Sequence, residues 1–486
     1  MKILLAAILS SFLILVSSFA AQPRPNILFI LTDDQGWATL GCYGSKKVPT
    51  PNLDRLAGEG VRFTDAYVMP QCTPTRAALL TGQHTARNGM WHVIPWYGLP
   101  WARMQEPAFR EQLPREWPTL PKRLRKAGYA TGMAGKWHLT SGADGDYVQL
   151  RAGDAHGFEF VAPRGPGTQN EGDKWVDHLT DSAIGFIRER REKPWFCYLA
   201  HHTLHGVVSA PPELVKKHRE AGAPESGMFN ATYLAAIEHL DTSIGRLMAA
   251  LDETKQRENT MVVFLSDNGG LDTNYNIGSG ALTISKQEFD NAPLRAGKGS
   301  PYEGGIRVPC LLRWPASVKA GQTCSTPVHV TDWMPTLLKV AGASAASDSA
   351  KAETTLDGID ISPLLHGETL PERPLYFHMP LYDLRWAATP CAVIREGDWK
   401  LIEHFGDSFD ADLRYQPGRK LELFNLRDDL SESRDIATAE KARAEAMSAK
   451  LHAWLKSISA PIPADNPHFD PQRQFEETKT KQVWNR

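Results

Sequence analysis

Four short apolar runs punctuate the first half of the chain, and each ends abruptly in a polar cluster. Residues 26–31 (NILFIL) lead into Thr32-Asp33-Asp34-Gln35-Gly36, and residues 129–134 (YATGMA) into Gly135-Lys136-Trp137-His138. Residues 195–200 (WFCYLA) lead into His201-His202-Thr203-Leu204-His205, and residues 261–265 (MVVFL) into Ser266-Asp267-Asn268-Gly269-Gly270. Runs of this length, rich in branched and aromatic residues and lacking strict alternation, predict strands buried on both faces. Between them, Tyr233, Ile237, Leu240, Ile244, Leu247 and Leu251 recur at helical spacing, as do Trp175, Leu179 and Phe186. Alternating buried strands and helices predict an α/β domain with a largely parallel sheet. Ligands of such sheets bind beyond the carboxyl ends of the strands. All four polar clusters follow their strands directly, so one site assembled from all four is the economical reading.

The texture changes toward the end of the chain. Residues 342–352 are rich in Ala, Ser and Gly and read as a loop. Beyond Pro371, residues 375–378, 392–395, 399–404 and 421–425 read as short strands, with a tight turn at Glu396-Gly397-Asp398, and residues 439–458 as one helix. The expected organisation is a large domain over residues 22–370 and a smaller α+β domain over 371–486, an antiparallel sheet carrying a packed helix.

The first residues belong to neither domain. Lys2, an apolar run from Ile3 to Val16, and small residues Ser17, Ser18, Ala20 and Ala21 form the pattern of a signal peptide over residues 1–21. The run is shorter than the about 20 residues of a membrane span, so no stable membrane insertion is expected after its removal. Export to the periplasm or the medium follows. Six cysteines in 486 residues are too few for a disulfide framework, and the sequence leaves a Cys310–Cys324 bridge open. A net charge of −2 and a pI near 6.8 argue against a nucleic-acid partner. A local basic pocket is still compatible with that balance.

The candidate chemistry sits in the polar clusters. Asp33-Asp34 and Asp267-Asn268 offer the carboxylate and amide oxygens that calcium or magnesium prefers, without the His or Cys that zinc usually takes. Cys72-Thr73-Pro74-Thr75-Arg76 precedes an Ala- and Leu-rich stretch, with Thr73 a natural N-cap and Pro74 a natural first helical residue. Cys72 is thereby expected just before a helix N-terminus, where anions are favoured, with Arg76 offering its planar fork to the same end. Lys136 and His138 alternate on an extended segment and can face one site. His201, His202 and His205 stand at a strand end as acid–base or anion-binding groups. The loop Gly297-Lys298-Gly299 carries a further lysine without the P-loop pattern. Beside these, residues 89–101 bring Trp91, His92, Trp96, Tyr97 and Trp101, which could stack on sugar rings or pack beneath the surface. Arg295 and Tyr302 flank Lys298 as further specificity candidates.

Taken together, these motifs resemble the type I, formylglycine-dependent sulfatases, in particular the arylsulfatase A-like members. The most specific element is Cys72-x-Pro74-x-Arg76 followed by Leu80-Thr81-Gly82. Gly135-Lys136-Trp137-His138, Ser266-Asp267-Asn268-Gly269 and Gly297-Lys298-Gly299 fall in the family's order. The resemblance implies an alkaline phosphatase-like fold, a mixed sheet between helices with a small C-terminal sheet domain. It implies that a separate maturation system oxidises Cys72 to formylglycine, and that Asp33, Asp34, Asp267, Asn268 and an oxygen of residue 72 hold a calcium ion. It further implies attack by a hydrated residue 72 on sulfur, with Arg76, Lys136 and Lys298 on the sulfate. His205 or Lys298 would be the acid for the leaving oxygen, and His138 the base that completes turnover. His201, His202, Arg295, Tyr302, Trp91 and His92 are the expected substrate-binding residues, for a sulfated carbohydrate or an aryl sulfate. One position departs from many relatives: Leu204, not Pro, precedes His205. Two rival readings are a phosphodiester or phosphonate hydrolase of the same superfamily and a catalytically silent binder of sulfated glycans. The Cys72 motif speaks against the first, and the complete set of site residues against the second.

Overall fold

The computed structural model describes residues 24–96, 98–140, 156–168, 170–189, 192–277, 280–344, 355–410 and 412–478. The leader, Tyr97 and the segment 345–352 of the expected loop lie outside them.

Nine strands form the central sheet: β1 (Asn26–Thr32), β2 (Val61–Tyr67), β3 (Ala130–Gly135), β4 (Phe160–Val161), β5 (Trp195–Ala200), β6 (Thr260–Ser266), β7 (Arg307–Arg313), β8 (Gln322–Cys324) and β9 (Val328–His329). Their order is β8-β2-β7-β6-β1-β5-β3-β4, with β9 also on β2. Only β7 runs against its neighbours. The four apolar runs are thus β1, β3, β5 and β6, four parallel strands in the middle of the sheet.

The absence of alternation in those runs has a direct cause. Ile27, Phe29 and Leu31 face one layer, formed with α2 (Cys72–Thr81) and α5 (Trp333–Val340). Leu28 and Ile30 face the other, formed with α1 (Pro51–Gly58), α3 (Val176–Glu189) and α4 (Ala231–Glu253). Both faces are buried, so apolar residues need not alternate with polar ones. Helix α4 is capped by Asn230, whose side chain accepts from the Tyr233 N–H at 3.0 Å.

The antiparallel C-terminal sheet, β10 (Leu375–Met379), β11 (Cys391–Glu396), β12 (Trp399–His404) and β13 (Lys420–Asn425), is also sandwiched. One face, with Phe377, Val393, Ile402 and Phe424, packs on Tyr67, Met69 and Ile306 of the larger unit. The other, with Ile394, Leu401 and Leu423, carries α6 (Lys441–Ser457). The tail then returns, pairing residues 464–465 with 104–105.

Sheet geometry settles the open Cys310–Cys324 pairing. Cys310 and Cys324 both stand opposite Phe63, but on strands flanking β2 from its two sides. They are two strand spacings apart, about 9–10 Å, beyond disulfide reach. All six cysteines are free. No helix among the described residues is long and apolar enough to cross a membrane.

Candidate active site

Strand register assembles the acidic floor. Thr32 of β1 pairs with Ser266 of β6, so Asp33-Asp34 and Asp267-Asn268 emerge side by side from adjacent parallel strands. The Asp267 N–H donates to the Thr32 carbonyl at 3.0 Å, and the Asp34 N–H to Asp267 Oδ1 at 3.2 Å. Asn268 Nδ2 donates to Asp34 Oδ1 at 2.7 Å. All four side chains are fully buried.

Cys72 reaches this floor from α2. The helix starts earlier than Thr73 and Pro74 suggest: Gln71 is the extended cap residue and Cys72 the first helical one. Thr73 does not cap, because its hydroxyl is taken by the His138 carbonyl at 3.0 Å. The sulfur of Cys72 lies 3.4 Å from Asp33 Oδ1 and 4.0 Å from Asp34 Oδ1. Burial, reinforced by Asp267, pushes the thiol far above its ordinary range, so the encoded side chain is a thiol and not a thiolate.

Three cations match the three carboxylates. Lys136 Nζ is 2.5 Å from Asp33 Oδ2, and Lys298 Nζ 2.8 Å from Asp34 Oδ2. The Arg76 fork takes Asp267 Oδ2 at 3.0 and 2.7 Å and the Lys136 carbonyl at 2.8 Å. Burial works against ionising Asp33, but the cations around it, Lys136 first and then Arg76 and Lys298, outweigh it and hold the group well below its usual range. For Asp34 burial wins and the shift is upward. Burial and the neighbouring Asp33 push Asp267 up to about 6.

A hard cation fits this set. Ligand atoms of Asp33, Asp34, Cys72 and Asp267 lie within 4.8 Å of one another. Asn268 Oδ1 is buried with no hydrogen-bond partner, an acceptor in want of a positive group. Three carboxylates and an amide oxygen are the donors that calcium or magnesium takes. With three negative and three positive side chains cancelling, a dication would also give the floor the net positive charge that an anionic ligand needs.

Above the floor opens a cavity of about 460 Å³, with Asp33, Cys72, Lys136, His138, His205 and Lys298 in its wall. His138 Nε2 stands 2.7 Å from the Ile94 carbonyl. Burial, with Lys136 adding to it, holds His138 well below its ordinary pKa, and burial with Lys298 and Lys136 does the same for His205. Both imidazoles are therefore neutral and have an acceptor to offer. The Lys298 loop is shaped by Gly299, at φ +82°, where an added Cβ would lie 2.6 Å from the Trp386 ring.

Other expected residues divide between the cavity wall and its surroundings. Arg76 is fully buried and is held by Asp267 and the Lys136 carbonyl, outside the residues that line the wall. His202 lines the wall, but His201, which precedes it just beyond the end of β5, lies on the side of His239 and Asp173. Arg295 stacks on Tyr302 at 3.6 Å and donates to the Glu432 carbonyl, while the Tyr302 hydroxyl donates to Glu422 at 2.6 Å. Both serve the junction with the C-terminal sheet, whose apolar face draws in the Tyr302 ring. Trp91 is core, packed with Leu381 and Ala388. His92 stacks behind Trp96 with centroids 4.4 Å apart, and Trp101 is covered by Arg473.

Five wall residues escaped the sequence reading: Asn170, Lys174, Gly206, Arg385 and Trp386. Lys174 adjoins Trp175, already read as helical, and had no motif of its own. Arg385 and Trp386 come from the segment between β10 and β11, and nothing local in the sequence connects them to Cys72.

Comparison with known proteins agrees with this geometry. A family model described as Sulfatase matches residues 25–343, and one described as N-sulphoglucosamine sulphohydrolase, C-terminal, matches residues 297–460. Arylsulfatase A of Homo sapiens is 33% identical over 412 residues, covering 77% of this chain and 74% of that protein. N-acetylgalactosamine-6-sulfatase of Homo sapiens is 32% identical, covering 74% and 69%. The crystal structure of Ps i-CgsB superposes with a TM-score of 0.68 at 28% identity, over 89% of this chain and 93% of that one.

Proposed function

This chain belongs to the sulfatase family, and from that premise we propose that it removes sulfate from a sulfated carbohydrate at the Cys72 cavity. It is a sulfuric ester hydrolase: water and a sulfate ester become an alcohol and inorganic sulfate. The observation that carries the proposed site is the position of Cys72, buried at the first turn of α2, 3.4 Å from Asp33 and in one cavity with Lys136 and Lys298.

Formylglycine made from Cys72 by a separate maturation system supplies, as its hydrate, the oxygen nucleophile that a high-pKa thiol cannot. Calcium held by Asp33, Asp34, Asp267 and Asn268 supplies positive charge for the sulfate oxygens. The chain's own residues do the rest. Lys136 and Lys298 are fixed by their carboxylate partners and stand ready at the wall as a preorganised clamp for sulfate. Arg76 keeps Asp267 and the Lys136 backbone in place from below. Lys298, kept cationic by Asp34, or His205 once the bound anion has let it take up a proton, gives a proton to the ester oxygen as the S–O bond breaks, and neutral His138 accepts one from residue 72 when sulfate departs.

The carbohydrate substrate is supported by the cavity's indoles and by the similarity to N-acetylgalactosamine-6-sulfatase. The leader over residues 1–21 supports export to the periplasm or the medium, and the two sheets support a division near residue 370. Mass spectrometry of the tryptic peptide Phe63–Arg76 from active protein should find an aldehyde at residue 72, and Cys72→Ala should abolish sulfate release while the fold persists. A plain thiol in fully active protein refutes the proposal.

A further inference from the structure

Among the described residues, one cation in the wall has no anionic partner. Lys174 is 1% exposed, and its ammonium donates to the Val207 carbonyl at 2.8 Å. Among the described residues no carboxylate pairs with it, whereas Lys136 and Lys298 each hold one. Burial pulls Lys174 down to about 8, as expected of an ammonium lacking a counter-ion. A buried, unpaired charge is costly unless a ligand completes it.

Beside it the wall is rigid and aromatic. Asp383, fully buried, grips Arg385 with both oxygens at 2.8 and 2.7 Å and accepts from Gln71, the residue before Cys72, at 3.1 Å. The Arg385 guanidinium lies 4.6 Å from the Trp386 ring centroid and 5.9 Å from that of Trp96. Trp386 is anchored by Asn274 at 3.0 Å and Trp96 by Glu106 at 3.0 Å, so both indoles are fixed without ligand.

We propose that Lys174 and Arg385, with Trp96 and Trp386, form a second anion subsite, so that the preferred substrate bears another negative group on or next to the ring that carries the scissile sulfate. This rests on the sulfatase reading above and narrows its substrate class. The indoles present faces to a pyranose ring, while the two cations meet a second sulfate or a uronate carboxylate.

The test uses the matured, calcium-loaded enzyme on matched sugars: one sulfate, the same sugar with a second sulfate, and the singly sulfated sugar joined to a uronate. Expected is a preference of about tenfold or more in kcat/KM for one doubly anionic partner. Which partner is preferred identifies the source of the second charge. Lys174→Met should reduce that preference at least about tenfold and Arg385→Gln about threefold, with Lys174→Arg restoring most of it. Calorimetry on Cys72→Ala protein reads the same subsite without turnover, and Lys174→Met in that background should weaken the doubly anionic ligand by a similar factor. Equal kcat/KM across the matched sugars, or a preference and binding unchanged by Lys174→Met and Arg385→Gln, overturns the subsite and leaves the sulfatase reading standing. Absence of turnover on every sulfate ester, from protein with an aldehyde at residue 72, would instead strike at that reading.

Discussion

Lys400→Met tests how the C-terminal sheet is joined to the active-site loop. Lys400 lies on β12, fully buried, with its ammonium 2.9 Å from Glu303 Oε1 and 2.7 Å from Glu432 Oε1. Glu303 begins the turn that follows the Lys298 loop, and its other oxygen is held by the Tyr67 hydroxyl at 2.6 Å and Arg307 at 3.3 Å. Removing one partner of a buried ion pair costs about 3–5 kcal/mol. Tyr67 and Arg307 remain to serve Glu303, so the low end, about 3 kcal/mol, is expected here. Removing the carboxylate charge as well, in Glu303→Gln/Lys400→Met, should recover about 2 kcal/mol, a coupling visible in a double-mutant cycle. Urea unfolding, followed by circular dichroism and tryptophan fluorescence together, gives these differences. A loss below about 1 kcal/mol, or a double variant as unstable as the sum of the singles, would refute the reasoning. Acidity adds a signature. Burial opposes ionisation of Glu303, but Lys400, Arg307 and Arg395 prevail and hold it low; its stabilisation is present above the ordinary glutamate range and is lost as pH falls through its folded value. Glu432 is shifted upward by burial, so its part runs the other way, declining as pH rises from that range toward neutrality. Glu432→Gln should therefore gain on the parent between mildly acidic and neutral pH.

Three other outcomes follow from the site. Metal-free protein should lose most sulfate release and recover it with calcium, and calcium should raise the thermal midpoint through ligation by three buried carboxylates; unchanged turnover and midpoint would exclude a metal there. Arg76→Lys keeps the charge but cannot span Asp267 and the Lys136 carbonyl, so a destabilisation of about 2–3 kcal/mol by urea unfolding is expected, with activity falling too. If His205 protonates the leaving oxygen, His205→Ala should cost about 100-fold or more in kcat on an alkyl sugar sulfate and far less on an activated aryl sulfate; equal losses would pass that role to Lys298.

What the sequence made legible was whatever depends on short-range pattern. The runs of β1, β3, β5 and β6 show buried strands because both sheet faces are covered, and the site residues follow those strands within a few positions. Their convergence could be inferred from parallel topology alone. Residues whose role depends on side-chain direction or distant packing were not legible in this way. His201 and His202 are adjacent just beyond the end of β5, yet only His202 meets the cavity. Tyr302 lies four residues from Lys298, yet its ring is drawn into the apolar face of a sheet formed some 80 residues later. Trp91 and Trp96 come from one aromatic stretch and divide between core and wall, as an irregular segment with no fixed period allows.

The same contrast separates the reaction from its specificity. Groups assigned to sulfate chemistry come from strand ends, the first turn of α2 and the Lys298 loop, a buried region where each cation is fixed by a carboxylate. The outer wall is contributed by Lys174, before α3, and by Arg385 and Trp386, between two strands of the C-terminal sheet. Asp383 ties that outer wall to Gln71 and thus to the start of α2. Substitution at 385 can therefore alter what the cavity accepts while leaving the carboxylate floor intact, whereas Trp386, packed on the Lys298 loop, bears on both. Substitution at Asp383 should disturb both, since one buried carboxylate serves the wall cation and the residue preceding Cys72.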